Sequence, residues 1–189
     1  MENSRDRMDS NAPHPTSHPN AGKLVELART FAGVMAPTLA KQFPELFQGP
    51  QAAEWPFFCT VGCTWIACVA LHHSAVPAES RTPTEVTVQR TLAEWHPAAM
   101  AAYEDLQQFV LEKLAPEDDA GKRREVLELS VASWIVWNMM MKREIANEFG
   151  TVAAIARANK PSVRRVLATA TMIWCHGLSP GHVGRLCAA

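Results

Sequence analysis

Apolar residues recur three or four positions apart along most of the chain between residues 22 and 177. This spacing brings them to one side of an α-helix, which turns by about 100° per residue. In the first such segment, 22–42, one face carries five large apolar residues: Leu24, Leu27, Phe31, Val34 and Met35. Pro37 removes a backbone donor inside this segment, so we expect it to kink or restart the helix.

Proline, glycine and capping residues divide the remaining pattern into six more predicted helices. Their expected ranges are about 57–74, 83–94, 97–115, 119–149, 151–159 and 161–177. In the helix 97–115 we expect five residues to face inward: Met100, Tyr103, Leu106, Val110 and Leu114. Thr82, Pro83 and Glu85 have the spacing of a capping box, which predicts a helix start at Pro83. The alternation in EVTVQ, residues 85–89, leaves a short strand there as an alternative. The sequence therefore predicts an all-α fold, a single-domain bundle of six to seven helices.

The two ends of the chain differ in composition from the helical part. Residues 1–20 are rich in Pro, Ser, Asn and His, which predicts a disordered N-terminal tail. The helical bundle domain is expected over 21–178, followed by a loosely ordered C-terminal tail over 179–189. Because the N-terminus lacks the apolar core of a signal peptide and the five cysteines are odd in number, we expect a cytoplasmic protein with reduced thiols.

The segment 57–73, FFCTVGCTWIACVALHH, contains no acidic residue, lysine or arginine. Cysteine in its thiol form packs as a small apolar residue, and a helix that is apolar on all sides is typical of a bundle core. We therefore expect this segment to be the central helix. The alternative is a metal-binding or thiol-redox site that uses Cys59, Cys63, Cys68 and His72. Two pairs lie one helical turn apart: Cys59 with Cys63, and Cys68 with His72. Each pair could supply two zinc ligands, but the remaining ligands would have to come from another helix.

The same segment also has to be considered as a membrane span. Its apolar run from Phe57 to Leu71 is 15 residues long and includes two threonines. A bilayer span needs about 20 apolar residues, so integral membrane insertion is not expected. A peripheral contact with anionic lipid is a further alternative.

The longest predicted helix, 119–149, carries five apolar residues and one asparagine at alternating spacings of four and three. They are Leu127, Val131, Trp134, Asn138, Met141 and Ile145. This pattern is a short heptad seam with asparagine at one core position. Neighbouring apolar residues widen the seam, which favours packing inside one chain. A surface helix that binds a protein partner or forms a homodimer stays open as the alternative.

Charge is divided unevenly along the chain. Residues 1–119 hold 8 Lys and Arg against 15 Asp and Glu, a net charge of −7, whereas residues 120–189 hold 10 against 4, a net charge of +6. This asymmetry is consistent with two parts that neutralise each other within the fold, and also with a basic part that contacts an anionic partner. The candidate contact residues form two basic clusters: Lys122, Arg123 and Arg124, and Arg157, Lys160, Arg164 and Arg165.

The second basic cluster surrounds a predicted turn in TVAAIARANKPSVRRVLATA, residues 151–170. This segment resembles in outline the helix-turn-helix of DNA-binding regulators, at 155–156 and at 162–165. The resemblance implies that the last helix enters a major groove, with its arginines on phosphates or guanine edges. The chain departs from the motif at the turn, where Lys160 and Pro161 replace the usual glycine.

Sequence motifs of common enzyme classes are absent. The chain contains no GxxxxGK[ST], GxGxxG, HExxH or GxSxG. Without a nucleophile or an acid–base pair in a recognisable arrangement, we expect a non-enzymatic protein with no cofactor. The sequence thus predicts a regulatory, adaptor or accessory subunit whose basic C-terminal face binds nucleic-acid backbone or an acidic protein.

Overall fold

The structure, a computed structural model, describes residues 20–42, 44, 53–114, 120–141 and 178–188. Within these ranges the chain forms six α-helices and no strand. They are α1 (Ala21–Gln42), α2 (Trp55–His72), α3 (Ala78–Trp95), α4 (Ala99–Leu114), α5 (Ala120–Val136) and α6 (Pro180–Ala188). A π-helical turn over Trp137–Met141 follows α5 directly. The prediction of an all-α bundle of six to seven helices is confirmed.

Several predictions concern residues outside these ranges and stay predictions. They are the disordered tail up to residue 19, the end of the predicted helix 119–149, and the predicted helices 151–159 and 161–177.

α2 is the central helix of the bundle. It contacts each of the other five α-helices, and 13 of its 18 residues are buried. A helix surrounded on all sides has no solvent face for charged residues, which explains the composition of this segment. The prediction of a core helix is confirmed. Among the described helices, α2 is also long and apolar enough to cross a membrane, and 72% of that stretch is buried inside the bundle.

α1 buries a face that overlaps the predicted one only in part. Leu24 and Met35 are buried as expected, but Val34 is 64% exposed. The buried face also carries four alanines, together with Val25 and Leu39: Ala21, Ala28, Ala32 and Ala36. Alanines allow two helix axes to approach closely, and the most extensive contact of α1 is with α2. The helix also continues through Pro37 without restarting.

α3 begins at Ala78, five residues before the predicted start at Pro83. The predicted capping box is therefore wrong, because Pro83 lies inside the helix. A buried stripe of Thr84, Val88 and Leu92 at four-residue spacing explains why this segment is helical. The Thr84 hydroxyl donates to the Ser80 carbonyl oxygen at 2.6 Å, so its burial inside the helix leaves no unpaired donor.

α4 and α5 pack against each other and against α2. On α4 the predicted inward residues Tyr103, Leu106, Val110 and Leu114 are buried, and Met100 is half-buried.

The described part of the predicted heptad seam packs inside the bundle. Val131, Trp134 and Asn138 are all buried within this chain. The π-helical turn interrupts the heptad register, because it has more residues per turn than an α-helix. Within it, Asn138 Nδ2 donates to the Trp134 carbonyl oxygen at 2.9 Å. The Asn138 side chain thus provides a hydrogen-bond donor for a backbone carbonyl of its own helix.

The C-terminal segment differs from the loosely ordered tail predicted over 179–189. Residues Pro180–Ala188 form α6, which packs on α2 and α1. At the start of α6, Ser179 Oγ accepts a hydrogen bond of 3.3 Å from the His182 backbone N–H. Val183 and Cys187, one turn apart, are fully buried. Two turns with few apolar positions carry too little periodicity to predict a helix from sequence.

Candidate functional site

The seven basic residues predicted to contact a partner lie largely beyond what the structure describes. Lys122, Arg123 and Arg124 belong to the first turns of α5, where the backbone is described but the side chains are not. Arg157, Lys160, Arg164 and Arg165 lie in 142–177, outside the described residues. The partner-binding surface stays a prediction.

The alternative set of Cys59, Cys63, Cys68 and His72 lies entirely on α2. The three cysteines are buried thiols, and His72 lies at the surface with its Nε2 2.8 Å from Glu85 Oε2. Burial, and secondly the charge of Cys63, raises the pKa of Cys59 well above its ordinary value. Among the described residues, no three His, Cys, Asp or Glu side chains are placed to hold a metal ion. The four residues therefore do not form one site in this part of the chain.

A small polar cluster, made of Cys68, Glu85, Gln89 and Tyr103, lies where α2 meets α3 and α4. Tyr103 is 2% exposed, and its phenol has side-chain hydrogen bonds with Cys68 and Gln89. A phenol this deeply buried requires such partners. Glu85 lies one turn before Gln89 on α3 and contacts His72. The cluster thus extends from a buried thiol to the hydrogen-bonded pair of His72 and Glu85 at the surface.

Burial holds Cys68 and Tyr103 in their protonated forms. Desolvation raises the pKa of Cys68 from 9.0 to about 12, an effect that the hydrogen bond from Tyr103 opposes and the charges of Glu85 and Cys187 reinforce. Desolvation, and secondly the charge of Cys68, also raises the pKa of Tyr103. Since the thiolate is the reactive form of cysteine, Cys68 is a poor nucleophile and a poor metal ligand while it is buried.

Comparison of the chain with protein-family models, with curated proteins and with solved structures gives no match. Function must therefore be inferred from the residues of the chain itself.

Sequence reasoning did not group Tyr103, Glu85, Gln89 or Cys187 with Cys68. A signal was present, because Tyr103 is the sole tyrosine of the chain and falls on the predicted inward face of its helix. A buried phenol implies a hydrogen-bond partner. Periodicity shows which face of a helix is buried, but it does not show which other helix covers that face.

We expect the free energy of unfolding to fall as the pH rises from about 9 towards about 12. In this window the unfolded chain loses the Cys68 proton and the folded chain retains it, so alkaline pH favours unfolding. One thiol titrating in this way lowers stability by up to about 1.4 kcal/mol per pH unit. Urea unfolding between about pH 8 and about pH 10.5 measures the slope. The Cys68→Ser variant should show a shallower slope, and an identical slope would contradict this assignment.

Proposed function

We propose that this protein is a non-enzymatic helical binding subunit whose basic C-terminal third contacts the phosphate backbone of nucleic acid. The observation that carries the proposal is the division of charge, −7 over residues 1–119 and +6 over residues 120–189. Lysine and arginine contacts release counterions from phosphate, so a basic cluster supplies affinity for nucleic acid without base recognition. A role as a regulatory, adaptor or accessory subunit is consistent with such contact.

The exposed carboxylates of the acidic part, residues 1–119, support binding of nucleic acid through one side of the protein. Exposed carboxylates are distributed over α1, α3 and α4: Glu26, Glu79, Glu94, Glu104 and Glu112. Because these charges repel phosphate, they favour a bound orientation in which the basic third faces the nucleic acid. The same charges could attract the basic third within the chain, and the binding experiment below separates these two arrangements.

The chemistry of the core supports a binding role over a catalytic one. The nucleophilic side chains described at the centre of the bundle are buried, and burial raises the pKa of Cys59, Cys68 and Tyr103. Groups held in their neutral forms contribute packing and hydrogen bonds to the bundle. Contact with a partner would then be made by the exposed charged side chains.

A binding titration of the full-length protein tests the proposal. Labelled duplex and single-stranded DNA and RNA are titrated at two salt concentrations. We expect affinity to fall steeply with salt for the unmodified protein. Changing Arg164 and Arg165 together to glutamate should weaken binding by at least about tenfold and reduce the slope of log affinity against log salt by about 2.

The matched control is Lys41→Glu with Arg90→Glu, which alters the net charge equally at exposed positions in the acidic part. It should weaken binding by less than about threefold. The absence of binding at low salt, or equal losses in both double variants, would refute the proposal. Pull-down of acidic protein partners with the unmodified protein and the Arg164/Arg165 variant would then be the next measurement.

A further inference from the structure

Among the tryptophans that the structure describes, Trp137 is the one whose side chain is exposed. Its exposed fraction is 37%, whereas Trp134, three residues earlier, is 1% exposed. Trp95 is half-buried, and its ring is covered by Phe57, with centroids 5.9 Å apart, and by Arg29. Trp137 makes no such ring contact with another described residue. Part of its indole surface is therefore open to a ring from a partner.

A π-helical turn holds the backbone at Trp137. The turn covers Trp137–Met141, and the two residues that follow Trp137, Asn138 and Met139, are buried. Asn138 Nδ2 also donates to the Trp134 carbonyl oxygen at 2.9 Å. Turns of this kind are rare in proteins and occur frequently at functional sites. The exposed ring thus projects from a backbone that is fixed before a partner binds, which lowers the entropy cost of binding.

Trp137 lies in the basic part of the chain. Residues 120–189 carry a net charge of +6. Lys142 and Arg143 follow Trp137 by five and six residues, so their Cα atoms lie within about 18 Å and about 22 Å of its own in any conformation. Proteins bind single-stranded nucleic acid with this combination of groups, because cations hold the phosphates while an unpaired base stacks on an aromatic ring.

We propose that Trp137 stacks on an unpaired base and gives the protein a preference for single-stranded nucleic acid over duplex. The contact rests on the proposed function, binding of phosphate by the basic third, and adds a base to it. Charge alone would favour the duplex, because its phosphates are more closely spaced along the axis. A base inside a duplex is already stacked between its neighbours and presents no face to Trp137. Stacking therefore reverses the preference that the basic residues would give by themselves.

Titration of the full-length protein with a labelled single strand, and with the duplex of the same sequence, tests the proposal. We expect the single strand to bind more tightly. Trp137→Ala should weaken binding of the single strand by about fivefold or more, the loss expected for one stacked base, and binding of the duplex by less than about twofold. The slope of log affinity against log salt should stay unchanged, because the Trp137 ring neutralises no phosphate.

Three further variants separate stacking from a general apolar contact. Trp137→Phe keeps an aromatic face and should retain most of the preference, whereas Trp137→Leu keeps only apolar bulk and should lose it. Leu129→Ala is the matched control, because Leu129 lies on the preceding helix α5 and is 38% exposed. It should leave both affinities unchanged. Equal losses in Leu129→Ala and Trp137→Ala would overturn the assignment of a stacked base.

A single strand of abasic nucleotides separates the base from the phosphate. It carries the same charge without a ring to stack, so Trp137→Ala should not change its affinity. A larger loss on this strand than on the ordinary one would refute stacking.

The unmodified protein decides the main point without any variant. If it binds the duplex as tightly as the single strand, the proposed preference is wrong. If it binds no nucleic acid at low salt, the stacking contact falls together with the proposed function. If it binds with the expected salt dependence and Trp137→Ala holds the single strand as tightly, the stacking of Trp137 alone is refuted.

Discussion

Replacing Trp134 with alanine should lower the free energy of unfolding by about 3–5 kcal/mol. Trp134 is 1% exposed, and its ring packs edge-on against Phe58 of α2 with centroids 5.5 Å apart. Its Nε1 donates to Asp105 Oδ2 of α4 at 2.8 Å. One side chain thus joins α5 to two other helices, and alanine would remove both contacts and leave a cavity between them. The loss of stability is measured as a shift in the midpoint of urea unfolding. The dependence of the free energy of unfolding on urea concentration should stay unchanged.

Two further variants separate the causes of that loss. Trp134→Phe keeps most of the ring contact and removes the Nε1 donor, so it should cost about 1–2 kcal/mol. Trp137→Ala makes the same truncation three residues later, at a side chain that is 37% exposed. It should cost about 1 kcal/mol or less. If Trp134→Ala cost no more than Trp137→Ala, Trp134 could not be the link between the three helices.

The parts of the fold that could be predicted are those in which one helix carries a complete local signal. On α4 the stripe of Tyr103, Leu106, Val110 and Leu114 spans the helix, and proline at 116 follows its end. On α2 the absence of charge over seventeen residues indicates a helix with no solvent face. In both cases the expected burial agrees with the structure, because burial of the whole stripe follows from the residues of that helix alone.

The parts that could not be predicted depend on what each helix packs against. α1 buries Ala28 and Ala32 and leaves Val34 exposed, because close approach to α2 matters more there than side-chain size. α3 runs through Pro83 because its buried stripe and the bonded hydroxyl of Thr84 stabilise a helix on both sides of the proline. Propensity and capping rules describe isolated helices, and tertiary packing overrides them.

The polar cluster shows the same limit at the level of a site. The sequence places Cys68 and Tyr103 on buried faces of two separate helices, but it does not show that the two faces meet. Cys187 gives still less signal, because its helix has few apolar residues and is buried by packing against α2 and α1. The two basic clusters differ from the polar cluster in this respect. Their positive charge predicts an attraction to anions whichever residues surround them.

At Gly62, α2 and α5 approach each other closely enough to exclude a side chain. A Cβ atom added there would lie 2.9 Å from Ile135 Cδ1 and 3.1 Å from Val131 Cγ1. We expect Gly62→Val to lower the free energy of unfolding by about 1–3 kcal/mol, because the two helices would have to move apart in a closely packed core. Thermal or urea unfolding measures the change.

Comparison with Gly33 separates this crowding from the intrinsic cost of glycine in a helix. An added Cβ at Gly33 meets no atom within 4 Å, so Gly33→Ala should raise the free energy of unfolding by about 0.5–1 kcal/mol. Gly62→Ala gains the same helix propensity but must displace Ile135 Cδ1, so it should be less stable than Gly33→Ala. Ile135→Val removes that methyl group and should recover about 0.5 kcal/mol or more in the Gly62→Ala background. The changes in the free energy of unfolding caused by Gly62→Ala and Ile135→Val could instead simply add. The cost of Gly62→Ala would then have to arise from crowding against Val131 or the backbone of α5, and not against Ile135 Cδ1.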